Sequence, residues 1–421
     1  MQKANKHSKR FIVLIVIHIL LQGQLHSQTY EEVALQTGID HMFGLGSTGG
    51  GVSFHDFDGD GWDDITLATE RGKPIYFYKN NSGTFKRIEA LVNNLCESKQ
   101  ILWIDYDNDG DKDLYITCIS DVNRLYNNHN MVFTDVTEES GLSMAKLRTY
   151  GATWGDVDRD GWLDLYVTNK RTESEINVNN LYLNLGNGKF QDVSLMSQTA
   201  DSLKRPFCAG FVDINNDLFP DLYIAQDKKA VNTLFKNLGN GTFSDISFSS
   251  NANLVMDGMS VTTGDYNNDQ FLDIYVTNIP EGNRLLKNNG DESFEEVAVE
   301  SGVDYLGYAW GSNFLDYDLD GDLDLYVSGM LDGADEIPSI LYTNTGNGNF
   351  IEEELGFNMD TVISFSNAIG DINNDGFPDI IVNNFDQYRS MLWKNSGGTN
   401  HWIKIKLEGT NSNRDGIGAC L

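Results

Sequence analysis

From about residue 50 onward the chain repeats one hydrophobic and polar phrase. A glycine-led alternating segment (GVSFHD, GATWGD, GSNFLD) runs into a short acidic segment, and an apolar, β-branched and aromatic run (DLYITC, DLYVTN, DIYVTN, DLYVSG) follows. Both halves carry the period and residue types of strands. A third strand-like run comes next (NRLYNN, NNLYLN, NTLFKN, SILYTN). An Asn and Gly turn follows (GNGKF, GNGTF, GNGNF), built from residues that tolerate positive φ and favour hairpins. A fourth run then carries Phe-x-Asp/Glu-Val (FTDVTEESGL, FEEVAVESGV). The phrase predicts an all-β chain of four antiparallel strands per repeat. Radial repetition of such units is the propeller solution to exposed strand edges.

The acidic segment occurs seven times, starting at Asp56, Asp105, Asp156, Asp213, Asp265, Asp316 and Asp371, with separations of 49, 51, 57, 52, 51 and 55 residues. That period suits a four-stranded blade. The last unit runs through IIVNN and MLWKN and lacks a fourth strand, whereas YEEVALQTGI near the N-terminus matches a fourth strand with no unit before it. Joining the two leftovers closes a ring. The expected architecture is therefore a seven-bladed β-propeller over residues 28–398. An open solenoid would leave both ends in need of caps.

Each nonapeptide places oxygen-bearing side chains at positions 1, 3, 5 and 9, and the backbone carbonyl of position 7 lies between them. Calcium takes six to eight such ligands, whereas magnesium demands a near-octahedral shell and keeps its water. The predicted calcium ligands are Asp56, Asp58, Asp60 and Asp64 in the first loop, Asp105, Asp107, Asp109 and Asp113 in the second, and Asp156, Asp158, Asp160 and Asp164 in the third. They continue as Asp213, Asn215, Asp217 and Asp221, then Asp265, Asn267, Asp269 and Asp273. The sixth and seventh sets are Asp316, Asp318, Asp320 and Asp324, and Asp371, Asn373, Asp375 and Asp379. Asparagine at position 3 should weaken three of the sites. Leu218 and Gln270 replace the position-6 glycine of the fourth and fifth loops, which makes those two the doubtful ones. The ligand positions hold 25 aspartates, so most of the net charge of −32 is assigned to ion ligation.

The N-terminus adds a compartment. Lys3, Lys6, Lys9 and Arg10 precede the apolar run from Phe11 to Leu21, and small and polar residues follow through Ser27. This order resembles a secretory signal peptide over residues 1–27, and the run is too short for a membrane span. An exported product without membrane insertion is expected. The acidic balance argues against nucleic acid, whose phosphates need a basic surface. Cys96, Cys118, Cys208 and Cys420 match neither a disulfide scaffold nor a zinc spacing. Cys96 and Cys118 flank one repeat, and both a disulfide and a pair of buried thiols are compatible with that placement. No catalytic set is recognisable: His41, His55, His129 and His401 are dispersed, and His55 occupies a strand position where packing explains it. The expectation is a binding or adhesion module for an extracellular protein or glycan. A polysaccharide lyase or hydrolase on the same scaffold is the alternative.

These repeats resemble the FG-GAP/VCBS units of integrin α-subunit heads. The layout resembles the cartilage acidic protein family, whose members follow the propeller with an ASPIC/UnbV segment. NHWIKIKLEGTNSNRDGIGACL, residues 399–421 with Thr399 before it, is similar to the start of that segment. Gly416 and Cys420 depart from the family pattern, and the segment reads as incomplete. The resemblance implies calcium loops on one face and ligand docking on the other, where Lys99, Arg148, Lys204, Arg205, Arg71, Lys73, Arg171, Lys228 and Lys229 become candidate contacts.

Overall fold

The structure is a computed structural model that describes residues 28–46, 49–171, 177–202, 204–330, 337–357, 360 and 362–419. The signal-peptide reading of residues 1–27 lies outside these residues, as does Cys420. Among the described residues no helix is long and apolar enough to cross a membrane. The only helices described are two of four residues, Ala34–Thr37 and Ala298–Ser301. Everything else that is regular is β.

The repeated phrase folds as its pattern requires. In the first unit Val52–His55, Asp64–Leu67, Tyr76–Asn80 and Phe85–Ile88 pair in that order as an antiparallel sheet. Four further sheets are also four-stranded, and one eight-stranded sheet carries the second and third units, joined where Leu147–Gly155 meets Asp113–Asp121. The N-terminal strand Tyr30–Glu32 pairs antiparallel with Met391–Asn395 and completes the sheet of the last unit.

The second strand of each unit is apolar without alternation because both its faces are covered. Asp164–Asn169, Asp221–Gln226 and Asp379–Asn384 are buried at every residue. Hydrophobic clusters lie between consecutive units. Tyr115 and Leu125 of the second unit meet Trp154 and Leu165 of the third, and Tyr223 and Leu234 of the fourth meet Ile274 and Leu286 of the fifth. One cluster joins Phe54, Ile65 and Tyr78 of the first unit to Ile372, Ile381 and Leu392 of the last. Cys96 and Cys118 form a disulfide with Cα atoms 5.8 Å apart, so the alternative of two free thiols is set aside. Cys208 is free and half-buried.

Candidate metal centre

The acidic loop links the first strand of a unit to its second strand. Its folding is driven by its own side chains. In the first loop the Asp56 carboxylate accepts from the Asp60 N–H at 3.0 Å and the Gly61 N–H at 2.8 Å, and Asp60 in turn accepts from the Trp62 N–H at 3.0 Å. Such local bonds replace the ladder bonds a turn gives up. The same closure recurs around Asp156, Asp213, Asp265 and Asp316.

Two left-handed residues make the turn tight enough. Position 6 has φ between +70° and +98° in all seven loops, including Leu218 at +70° and Gln270 at +72°. The Leu218 and Gln270 N–H groups still reach the position-1 carboxylate at 2.8 and 2.7 Å. The backbone of the fourth and fifth loops is thus the same as that of the others, and the glycine costs conformational strain when replaced but is not required for the shape. Position 4 is also left-handed throughout, occupied by Gly59, Asn108, Arg159, Asn216, Asn268, Leu319 and Asn374. Sequence reading missed this second requirement because Arg and Leu at two of the positions conceal it.

Position 9 is the buried wall of the site. Asp64 accepts from the Phe57 N–H at 3.2 Å and from the N–H of Asn80, at the end of the third strand, at 2.7 Å. The equivalent third-strand residues Asn128, Asn184, Asn237, Asn288, Asn344 and Asn395 give Asp113, Asp164, Asp221, Asp273, Asp324 and Asp379 the same bond. These asparagines do more. Asn237 Nδ2 donates to the Val157 carbonyl of the preceding loop at 2.8 Å, and its Oδ1 accepts from the Gly239 N–H at 3.0 Å. Asn80 makes the matching bond across the chain ends, to the Ile372 carbonyl at 2.9 Å. The signal was present as an Asn closing every third strand, but a terminal Asn also looks like the first residue of a turn.

The carboxylates converge where position 3 is Asp. Asp56, Asp58 and Asp64 bring ligand oxygens within 4.8 Å of one another, as do Asp105, Asp107 and Asp113, Asp156, Asp158 and Asp164, and Asp316, Asp318 and Asp320. Burial raises the position-9 acids. Desolvation lifts Asp64 and Asp221 to about 7, Asp164, Asp273, Asp324 and Asp379 to about 8, and Asp113 to about 9, against the backbone N–H bonds that favour the anion. Carboxylates gathered in a desolvated pocket share protons or take a cation. Asp105 Oδ1, Asp107 Oδ1, Asp273 Oδ2 and Asn373 Oδ1 are buried without a hydrogen-bond partner, and a hard cation bound by oxygens would satisfy them. The residues present therefore fit a calcium ion. In the first loop Lys79 already reaches Asp58, and it lies 2.9 Å from Asp60. A further group, Asp109, Asp111 and His129, also brings ligand atoms within 4.8 Å of one another.

The C-terminal segment crosses the same face. Trp402 packs on Gly376, Asn400 Nδ2 donates to the Asp318 carbonyl at 2.9 Å, and Asp415 accepts from the Asp105 N–H at 2.9 Å and pairs with Lys112. His55 lies beside this contact. Burial first, then the Lys112 ammonium, lowers its pKa to about 4, and its Nε2 has no partner.

Several basic residues assigned to the opposite face are already engaged. Lys99 is buried and pairs with Glu97, while Lys73, Lys204, Lys228 and Lys229 pair with Glu70, Asp201, Asp227 and Glu281. Arg71 donates to the Ile119 carbonyl at 2.7 Å. Arg148 donates to the Tyr150 hydroxyl at 3.1 Å and makes no ion pair among the described residues.

No curated protein is significantly similar to the chain. Among solved structures, BBS1N in complex with ARL6DN, soaked with mercury, aligns over 87% of this chain and 96% of that chain, with TM-score 0.54 and 10% identity. The extracellular domain of a protein titled a hybrid two component system, from B. thetaiotaomicron, aligns over 87% of this chain and 42% of that chain, with TM-score 0.50 and 13% identity. At such identity the likeness is one of fold alone. The FG-GAP-like repeat matches residues 56–116, 105–167, 213–276 and 265–327, together more than half of the sequence. The chain belongs to the family of FG-GAP-like repeat proteins.

Proposed function

We propose that this chain is an exported, calcium-loaded, closed seven-bladed propeller that binds an extracellular protein or glycan on the face away from its loops. The convergence of Asp oxygens in four loops carries the metal reading, since a cation relieves the repulsion and desolvation that otherwise force such acids to hold protons. Closure is supported by contacts between the two ends of the chain: the Tyr30–Glu32 pairing with the last unit, and, between the first and last units, the cluster of Phe54 with Ile381 and the Asn80 bond to Ile372. In this reading the eight-stranded sheet counts as two blades. The residues at positions 1, 3, 5 and 9 and the position-7 carbonyl would hold calcium, which would supply positive charge that fixes the loops. The segment from residue 399 resembles the start of an ASPIC/UnbV segment, and its seat on the loop face ties the tail to the ring.

Isothermal titration of chelator-treated protein with calcium should reveal several sites, with magnesium a weak competitor. Glycan and matrix-protein arrays probed in calcium should then yield a ligand. If the chelated protein takes up no calcium, the metal reading is wrong; release of cleaved product from a captured glycan would replace the binder with an enzyme.

A further inference from the structure

The residue six positions ahead of each acidic loop is Gly50, Lys99, Tyr150, Phe207, Met259, Trp310 or Phe365. At strand rise this places it about 20 Å from the loops, at the opposite end of the first strand. In five of the seven units the pairing of that strand shifts register at this residue, between Ser98 and Ile101, Thr149 and Gly151, Pro206 and Cys208, Ala309 and Ser312, and Ser364 and Ser366. A bulge re-aims one side chain out of the sheet's alternation and is frequent beside functional sites. Here four of the five bulged residues are aromatic and meet one another, and the fifth is Lys99. Ring centroids run 4.4 Å from Tyr150 to Phe207, 5.6 Å to Trp310, 4.5 Å to Phe365 and 5.3 Å to Phe385. Where the first unit has Gly50, the Phe43 ring fills the space a side chain would take, and the Lys99 ammonium stands 5.6 Å over that ring.

A hydrophobic plug at the end of the ring would explain the aromatics but not their company. Lys170 Nζ, ion-paired with the buried Asp227, lies 4.9 Å from the Tyr150 centroid and 5.0 Å from that of Phe207. Arg148 hydrogen-bonds the Tyr150 hydroxyl, its Nε is buried without a partner, and no carboxylate pairs with it among the described residues. Phe207 and Trp310 keep part of their surface in solvent, which a seal would not require. Ser260, Thr262 and Ser312 on two neighbouring units bond one another and Thr277 through their hydroxyls, and Thr277 donates to the Trp310 carbonyl at 2.7 Å, which fixes the backbone that carries the Trp310 ring. Flat apolar faces beside a guanidinium that has no ion-pair partner among the described residues are complementary to a sugar ring that carries an acid: the C–H face stacks and the carboxylate takes the planar fork.

We propose that these bulged residues form a binding site for the uronate unit of an acidic glycan, centred on Tyr150, Phe207 and Trp310 with Arg148 as the carboxylate receptor. The proposal rests on the binding-module reading and names its ligand. Its test is calorimetric titration of calcium-loaded protein with tetramers of galacturonate, alginate, chondroitin and heparin, beside the methyl-esterified galacturonate tetramer. At least one acidic tetramer should bind. Trp310→Ala should weaken it tenfold or more, and Arg148→Gln should abolish the preference for free acid over ester while leaving calcium uptake and thermal unfolding unchanged. Binding of another array ligand that neither substitution disturbs would overturn the site and leave the module reading intact. Failure of every acidic tetramer and every array ligand would remove both.

Discussion

At the scale of single residues, the asparagine that ends each third strand has the most to lose. Asn237 is 2% exposed and makes side-chain bonds to the Val157 carbonyl and the Gly239 N–H. Asn237→Ala removes these and a third bond to the Pro220 carbonyl and leaves buried groups unpaired, which costs about 2–3 kcal/mol; a lower urea midpoint at unchanged slope is the expected readout. The left-handed position 6 gives the opposite sign. Leu218 is 56% exposed at φ +70°, so Leu218→Gly relieves backbone strain of about 1 kcal/mol with little packing lost. Its melting temperature should rise, and a drop would mean that Leu218 contributes packing that its exposure conceals.

At the scale of elements, the disulfide and the terminal strand act on one sheet each. Cys96 and Cys118 close a loop of 22 residues around the second acidic loop, linking the start of the unit's first strand to its partner Asp113–Asp121. Constraining a loop of this length in the unfolded chain stabilises by about 3 kcal/mol. Reduction should lower the denaturant midpoint accordingly, and Cys96→Ser with Cys118→Ser should reproduce the effect without reductant. Tyr30–Glu32 covers the edge of Met391–Asn395, and Tyr30 is buried against Tyr317 and Phe357. The alternating and apolar runs announced these sheets in the sequence, as did the split last unit. The bulges were not legible, because a bulge adds one residue without altering the types around it, and only the pairing partner reveals the shift.

For the whole molecule, the position-9 acids set a pH dependence of defined sign. Their pKa values are raised by burial from the usual 3.8 to about 7–9 in the metal-free fold. The folded chain therefore holds more protons than the unfolded chain between these limits. The stability so conferred is full below about pH 4 and is lost as pH rises through 7–9. Metal-free protein should melt higher at pH 5.5 than at pH 8.5 as far as these groups govern it. Calcium should reverse the order by displacing the protons, with proton release measurable by titration in buffers of different ionisation heat. If each site binds at about 0.1–1 mM, a few millimolar calcium adds about 1–2 kcal/mol per ion. Chelation should then lower the melting temperature by many degrees, and an unchanged melt would count against loading.

The sequence by itself determined the strand phrase, the seven acidic nonapeptides and the two incomplete ends, because periodicity and ligand spacing are local properties that survive in one dimension. It also exposed position 6 as a turn. Only the tertiary structure decided that Leu218 and Gln270 accept that turn, since the position-1 carboxylate, five residues back, holds their N–H groups in place. It decided too that Asn80 reaches Ile372, that the C-terminal segment lies over the loops, and that residues one or two repeats apart bring their rings within 6 Å of one another. Those are contacts between repeats, fixed by how sheets pack and not by what any one repeat contains.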